Sequence, residues 1–407
     1  MSAREILVAG GGPAGAATAA HLARLGHEVL LCEAARFPRD KICGEFLPPS
    51  VAPRFERLGV GRAVDALRPL RPIGMAVVAP GGARVLGRFG EASGPGYALR
   101  RSELDAVLLE GARRAGAEVL EGTRLVDLAP RGAGGYEVSI RTEGGTSRRI
   151  AVRAVVGADG RNSLVARRLS LRRAPPRHRR FAIMGRYRGA RTPADHGEMI
   201  VTRDGYCGIN PLPRGESNVC FVIDPARAPR GRSGGFLPGR ADLQAFARDR
   251  IASELAVSAR LGGAVPAGPL RAIGPIACGA RRTVADAALL VGDAAEFFDP
   301  FTGEGVGTAL HGAELAAATL HEGLLAGDLS AAALRRYEVL RGAAFASRFR
   351  VDRALQRILG RRRLTDFVAS RLEREPALAD LLAQVTAGLA ASRSLLRPDR
   401  LLRFLCA

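Results

Sequence analysis

Three glycines and a carboxylate near the start of the chain, and a second glycine cluster near residue 300, have the types and spacing to do chemistry. Gly10, Gly12 and Gly15, with Pro13 and Ala14 between the last two, give G-x-G-x-x-G directly after the apolar run Ile6–Ala9. The first glycine permits a tight turn. The second lets the backbone approach a pyrophosphate, and the third lets the following helix pack close to the strand with its N-terminus facing the phosphates. Glu33 lies 18 residues beyond Gly15, at the end of a second apolar run. A carboxylate there can accept ribose hydroxyls. The pattern predicts a βαβ unit that binds a dinucleotide, without saying which one.

Residues 289–310, LLVGDAAEFFDPFTGEGVGTAL, tip the choice to a flavin. An apolar strand ends at Gly292-Asp293, a turn follows at Asp299-Pro300, and Gly303-Glu304-Gly305-Val306 opens a helix. Asp293 can hold a ribityl or ribose hydroxyl. The helix opening aims N–H groups and its positive dipole end at whatever sits above it. A reduced flavin carries negative charge on its pyrimidine edge, which such a helix end stabilises without a charged side chain.

Between these motifs, residues 33–49 read EAARFPRDKICGEFLPP. Arg36, Arg39 and Lys41 cluster after the ribose-binding strand, where cations can pair with cofactor phosphates or guide a substrate. Lys41 is the only lysine in the chain. An ammonium is a compact point charge that a guanidinium does not replace. Cys43 is placed to face the flavin or the substrate. Lys41, Cys43, Glu45 and the later Tyr206 are the candidate catalytic residues. The scattered cysteines show no C-x-x-C or paired spacing, so no metal site is expected.

In these motifs the chain resembles the FAD-dependent glutathione-reductase-type superfamily, in the branch shared by class A aromatic monooxygenases, geranylgeranyl reductases and flavin halogenases. The resemblance covers roughly residues 1–330. It implies that Gly10, Gly12, Gly15 and Glu33 hold the ADP half of FAD. It implies FAD contacts for Arg101, in R-x-x-L-D, and for Gly292, Asp293 and Pro300. Asp159-Gly160 matches a motif implicated in holding both FAD and NAD(P)H. K-x-C-G-E, from Lys41 to Glu45, is similar to geranylgeranyl-reductase-like proteins, and G-E-x-L-x-P is similar to flavin halogenases too. Tyr206 to Pro211 sits where geranylgeranyl reductases carry Y-x-W-x-F-P. Gly208 and Asn210 replace the Trp and Phe, which argues against a long isoprenoid substrate and predicts a more polar site. The chain has no tryptophan, which ranks halogenation last.

The elements that must position these residues follow from periodicity. Alternation predicts strands at 181–187, 198–202 and 218–223 and a strand pair near 73–90. The expected fold is α/β: a Rossmann-like FAD-binding domain (1–72, 95–172 and 272–330), an inserted antiparallel β-sheet substrate domain (73–94 and 173–271), and a helical, arginine-rich C-terminal region (331–407). Hydrophobic content of 47% allows a packed core, and no apolar run reaches the roughly 18 residues of a membrane span. The protein is expected in the cytoplasm, free or at a membrane surface. Net charge is +21, which suits an acidic carrier protein or an anionic membrane. Arg350, Arg353, Arg357 and Arg361 supply such a face at helical spacing. Nucleic acid is not expected, given 5% aromatics and no recognition motif. The function expected is NAD(P)H-dependent hydroxylation of an aromatic or polyketide-like small molecule in secondary metabolism, with reduction of a carbon–carbon double bond as the alternative. NAD(P)H is expected as a transient electron donor, because no second G-x-G-x-x-G marks a nicotinamide domain.

Overall fold

The computed structural model describes residues 4–132, 134–174, 180–224 and 240–406. Residues 175–179 and 225–239 of the expected substrate domain lie outside the described residues. The first sheet is built on β1 (Arg4–Ala9) and β2 (Val29–Glu33), joined by α1 (Pro13–Arg24). Ile6, Leu7, Val8 and Leu31 are wholly buried, because a parallel strand covered on both faces reads as a continuous apolar run. β1 pairs in parallel with β2 on one side and with a long strand, Ser147–Gly157, on the other. That strand in turn pairs in parallel with Ala288–Leu290. One hydrophobic cluster joins α1, the helix Arg101–Arg114 and the helix Gly305–Ala326 over one face of this sheet. The two glycine motifs therefore meet at the ends of parallel strands, although about 290 residues separate them.

The second sheet collects the hairpin Gly74–Val78 and Arg84–Arg88, the strands Phe181–Arg188, His196–Thr202, Gly205–Leu212 and Glu216–Ile223, and short strands at 265–266 and 271–273. It is not wholly antiparallel as expected. His196–Thr202 runs parallel to Gly74–Val78, from His196 opposite Gly74 to Ile200 opposite Val78. The two strands belong to separate excursions from the first domain. More than a hundred residues connect them, ample for the crossover that parallel pairing needs.

The C-terminal region is helical: Ala331–Leu359, Arg362–Arg374, Pro376–Thr386 and Pro398–Cys406. It covers the open edge of the second sheet. Asp366 accepts the N–H of Gly81 at 2.6 Å, Glu373 that of Arg84 at 2.9 Å and Asp380 that of Arg88 at 2.7 Å. An edge strand leaves N–H groups without sheet partners, and these carboxylates satisfy them. Among the described residues, no helix is long and apolar enough to cross a membrane.

Candidate flavin site and the chamber beside it

A cavity of about 890 Å³ opens outside the carboxyl ends of the parallel strands, and the second sheet forms its far wall. Gly10 follows β1, Glu33 ends β2, Asp159 follows the long central strand, and Gly292 follows Ala288–Leu290. All four line the cavity, the position where open α/β sheets bind ligands.

The glycine loop is as tight as its spacing implies. Gly10 has φ +102°, and a Cβ on Gly15 would lie 1.8 Å from the Gly10 carbonyl oxygen. Glu33 is fixed at the strand end by the Gly11 N–H at 2.7 Å and the Ala35 N–H at 2.8 Å. Arg39 lies over this loop, 3.6 Å from a Cβ on Gly12, and donates to Asp105 at 3.0 Å. Asp105 also takes a bidentate pair from Arg101, at 2.7 and 2.8 Å. This buried carboxylate holds two arginines at the cavity wall.

Lys41 projects into the cavity. Its side chain is solvent-accessible yet crowded by protein on its other sides, and this desolvation lowers its pKa against the opposing pull of Asp293. Burial raises Asp293, and Lys41 and Arg101 partly offset the rise. Asp159 caps a short helix through the N–H of Leu164 at 2.6 Å. Gly303, Gly305 and Val306 line the cavity where the helix Gly305–Ala326 begins.

The remaining wall is mainly apolar, with Met75, Met199, Val222, Ile273, Ile276 and Phe301, and includes Glu198 and Asn210 of the second sheet. Tyr206 closes one end. Its hydroxyl donates to Asp299 at 2.6 Å, and burial, followed by that carboxylate, raises its pKa well above the phenol range. Gln356 of the helix Ala331–Leu359 and Arg180, just before the strand Phe181–Arg188, hold Asp299 at 2.8 and 3.0 Å.

A family model described as FAD binding domain matches residues 3–349. The chain belongs to this family. It is 29% identical over 97% of its length to conditioned medium factor receptor 1 of Dictyostelium discoideum, covering 79% of that protein. It is 29% identical over 78% of its length to menaquinone reductase of Mycolicibacterium smegmatis, covering 76% of it. A flavin-dependent halogenase of Armillaria mellea is 30% identical over 78% of this chain and 64% of its own length. The solved structure of a flavin-dependent brominase superposes with a TM-score of 0.82, covering 100% of this chain and 98% of its own at 19% identity, a likeness of fold alone. Halogenation therefore does not belong last among the readings. The match to halogenases holds although the chain has no tryptophan.

The residues fit FAD. The cavity takes a ligand of that class. The loop around Gly12 leaves room for phosphates beneath Arg39, Glu33 stands ready for a ribose, and Asp293 and the helix end at Gly305 flank the inner half. Gly10, Gly12, Pro13, Ala14, Glu33, Arg101, Asp159, Gly160, Gly292, Asp293, Pro300, Gly303, Gly305 and Val306 come together around one space, joined by Lys41, Cys43 and Tyr206. Gly15 lies behind the loop, where it sets the helix's approach.

Three expected contacts differ. Arg36 points to the surface and pairs with Glu143 at 2.8 Å, so Arg39 takes the place expected for it. Glu45 is wholly buried and outside the cavity lining. It accepts the Arg101 N–H at 2.9 Å, Arg186 Nε at 3.0 Å and Asn218 Nδ2 at 2.9 Å, which makes it a positioning residue. Glu304 also turns away, toward Arg348 at 3.5 Å. Asn210 donates its amide N–H to the Glu45 carbonyl at 2.9 Å, while its Oδ1 is left without a hydrogen-bond partner in the cavity wall, so it keeps one polar point there. Arg186 and Asp299 escaped sequence reasoning. Arg186 lies on a strand with no motif around it, and Asp299 reads as an ordinary turn residue before Pro300.

Burial raises the Glu304 carboxyl from an ordinary 4.5 to about 8, with Arg348 only partly opposing. The unfolded chain releases this proton near 4.5 and the folded chain near 8, so stability falls as pH rises through that window. Glu304→Gln removes the cost. Its melting temperature should exceed that of the parent by a few degrees at pH 8, on the order of 4 kcal/mol, with the gap closing toward pH 5. An equal gap at both pH values would contradict the burial of a titrating carboxyl.

Proposed function

We propose that this FAD oxidoreductase reduces a carbon–carbon double bond in a lipophilic acceptor, with NAD(P)H as electron donor. The observation that carries the reading is the apolar chamber beside the flavin site. Met75, Met199, Val222, Ile273, Ile276 and Phe301 offer a hydrocarbon a largely apolar wall, and beside them a substrate hydroxyl would find chiefly the Asn210 Oδ1. The likeness to a menaquinone reductase supports the same direction. When bound, FAD would relay two electrons and a proton from the nicotinamide to the acceptor.

The protein's share is placement and proton supply. Arg101, fixed by Asp105 and Glu45, lines the cavity together with Cys43, at the border of the flavin site and the chamber. Cys43 takes the Glu45 N–H at 3.4 Å. The thiol at this border would give its proton to the second alkene carbon and regain one from solvent. Lys41 holds positive charge beside the cofactor. Cys43→Ala should lower steady-state reduction of the acceptor about 100-fold while leaving flavin reduction by NAD(P)H unchanged. Equal loss in both half-reactions would remove Cys43 from proton delivery.

Hydroxylation with oxygen, the first expectation from sequence, becomes the second reading. It shares the reduced cofactor but calls for an anchor for a phenolic substrate, and the chamber wall offers chiefly hydrocarbon.

A further inference from the structure

The C-terminal helices turn three of their acids inward and leave arginines and large apolar side chains exposed. Residues 361–403 carry nine arginines and five acids. Asp366, Glu373 and Asp380 are turned inward onto the backbone of the 74–88 hairpin. Arg363, Arg393, Arg397 and Arg403 remain exposed, Arg397 beside Asp399 at 3.2 Å. Large apolar side chains lie among them. Leu396 is 70% exposed, Leu402 63% and Phe367 45%. The Phe367 and Phe404 rings meet edge to face at 6.3 Å, so the helices Arg362–Arg374 and Pro398–Cys406 touch, and the turn Ser392–Leu396, which carries Arg393 and Leu396, leads directly into the second of them.

We propose that this surface docks on an anionic phospholipid bilayer, with the leucines entering the headgroup boundary and the arginines meeting lipid phosphates. Exposed leucines ringed by arginines are the composition of an interfacial helix. An acidic protein would match the charge but gives Leu396 and Leu402 less to bury against. The surface is also joined to the chamber. Leu359, at the end of the preceding helix, packs on the cluster containing Met75, Met199 and Tyr206, and Gln356 holds Asp299. Docking would set the apolar chamber close to the bilayer.

The test is co-sedimentation of the FAD-loaded protein with vesicles of phosphatidylglycerol and phosphatidylcholine in equal parts, against pure phosphatidylcholine. Binding is expected to the anionic vesicles alone, and to weaken when NaCl rises from about 0.1 M to about 0.5 M. Arg393→Ala with Arg403→Ala should lower partitioning about thirtyfold, roughly fivefold per arginine. Leu396→Ser with Leu402→Ser should lower it about tenfold. Unchanged flavin absorbance in each variant shows that the fold is intact, and the salt series on the parent protein stands without any variant. The proposal is overturned by equal binding to neutral vesicles, by leucine variants that bind as the parent does, or by capture of an acidic acyl carrier protein without vesicle binding.

Discussion

Gly15→Ala is expected to abolish FAD binding and to cost roughly 3 kcal/mol or more of stability. The new Cβ would lie 1.8 Å from the Gly10 carbonyl oxygen and 3.0 Å from the Ala158 Cβ. Neither neighbour can yield. Gly10 is already held at φ +102°, hydrogen-bonded through its N–H to Cys32 at 2.8 Å and pressed against the Ala158 carbonyl. The helix after the loop would have to withdraw from the central strands, taking its N-terminus away from the phosphates. Gly12→Ala is the informative control. Its Cβ meets only Arg39 Nη2, at 3.6 Å. That variant should fold and melt near the parent temperature yet hold flavin weakly, because the methyl occupies the phosphate approach. Thermal unfolding together with flavin content after gel filtration separates the two outcomes.

Glu45→Ala should destabilise the protein by about 3–5 kcal/mol, the cost of removing one partner from a buried ion pair. The carboxylate receives the Arg101 N–H, two donors from Arg186 and the Asn218 amide. Arg186, only 14% exposed at its side chain, would keep Asp40 alone, at 3.1 Å. Alanine would not relieve the backbone either, since Glu45 sits at φ +56° and any side chain is strained there. Glu45→Gln keeps the shape and loses the charge, so it should fall between. The loss should be measurable by denaturant unfolding without substrate. Normal stability coupled to lost turnover would return Glu45 to the chemistry.

The parts legible in sequence are those where backbone geometry restricts the residue type. The loop at Gly10, Gly12 and Gly15 and the turn at Gly292 admit little else, so their spacing revealed both the fold and the site. Side-chain direction was less legible. Arg36 and Arg39 are three residues apart and chemically alike, and the choice between them is made by Asp105, 66 residues beyond Arg39. Glu45 looked like chemistry because it sits in K-x-C-G-E. Its role depends on Arg186 and Asn218, two sheet residues that periodicity marks only as strand. The parallel pairing of His196–Thr202 with Gly74–Val78 leaves no local trace, since register between distant strands is set by the domain they leave.

In the proposed reaction the flavin beside the apolar chamber would deliver reducing equivalents to a lipophilic alkene. The most direct measurement is anaerobic. The bound flavin is reduced with NAD(P)H, the excess is removed, and the protein is mixed with a panel of isoprenoid and aromatic acceptors while its absorbance is followed. Reoxidation without oxygen by an isoprenoid acceptor is expected, with a product that has gained two hydrogens. Reoxidation only on admitting oxygen, with a product that has gained oxygen, or halogen when halide is present, would contradict it.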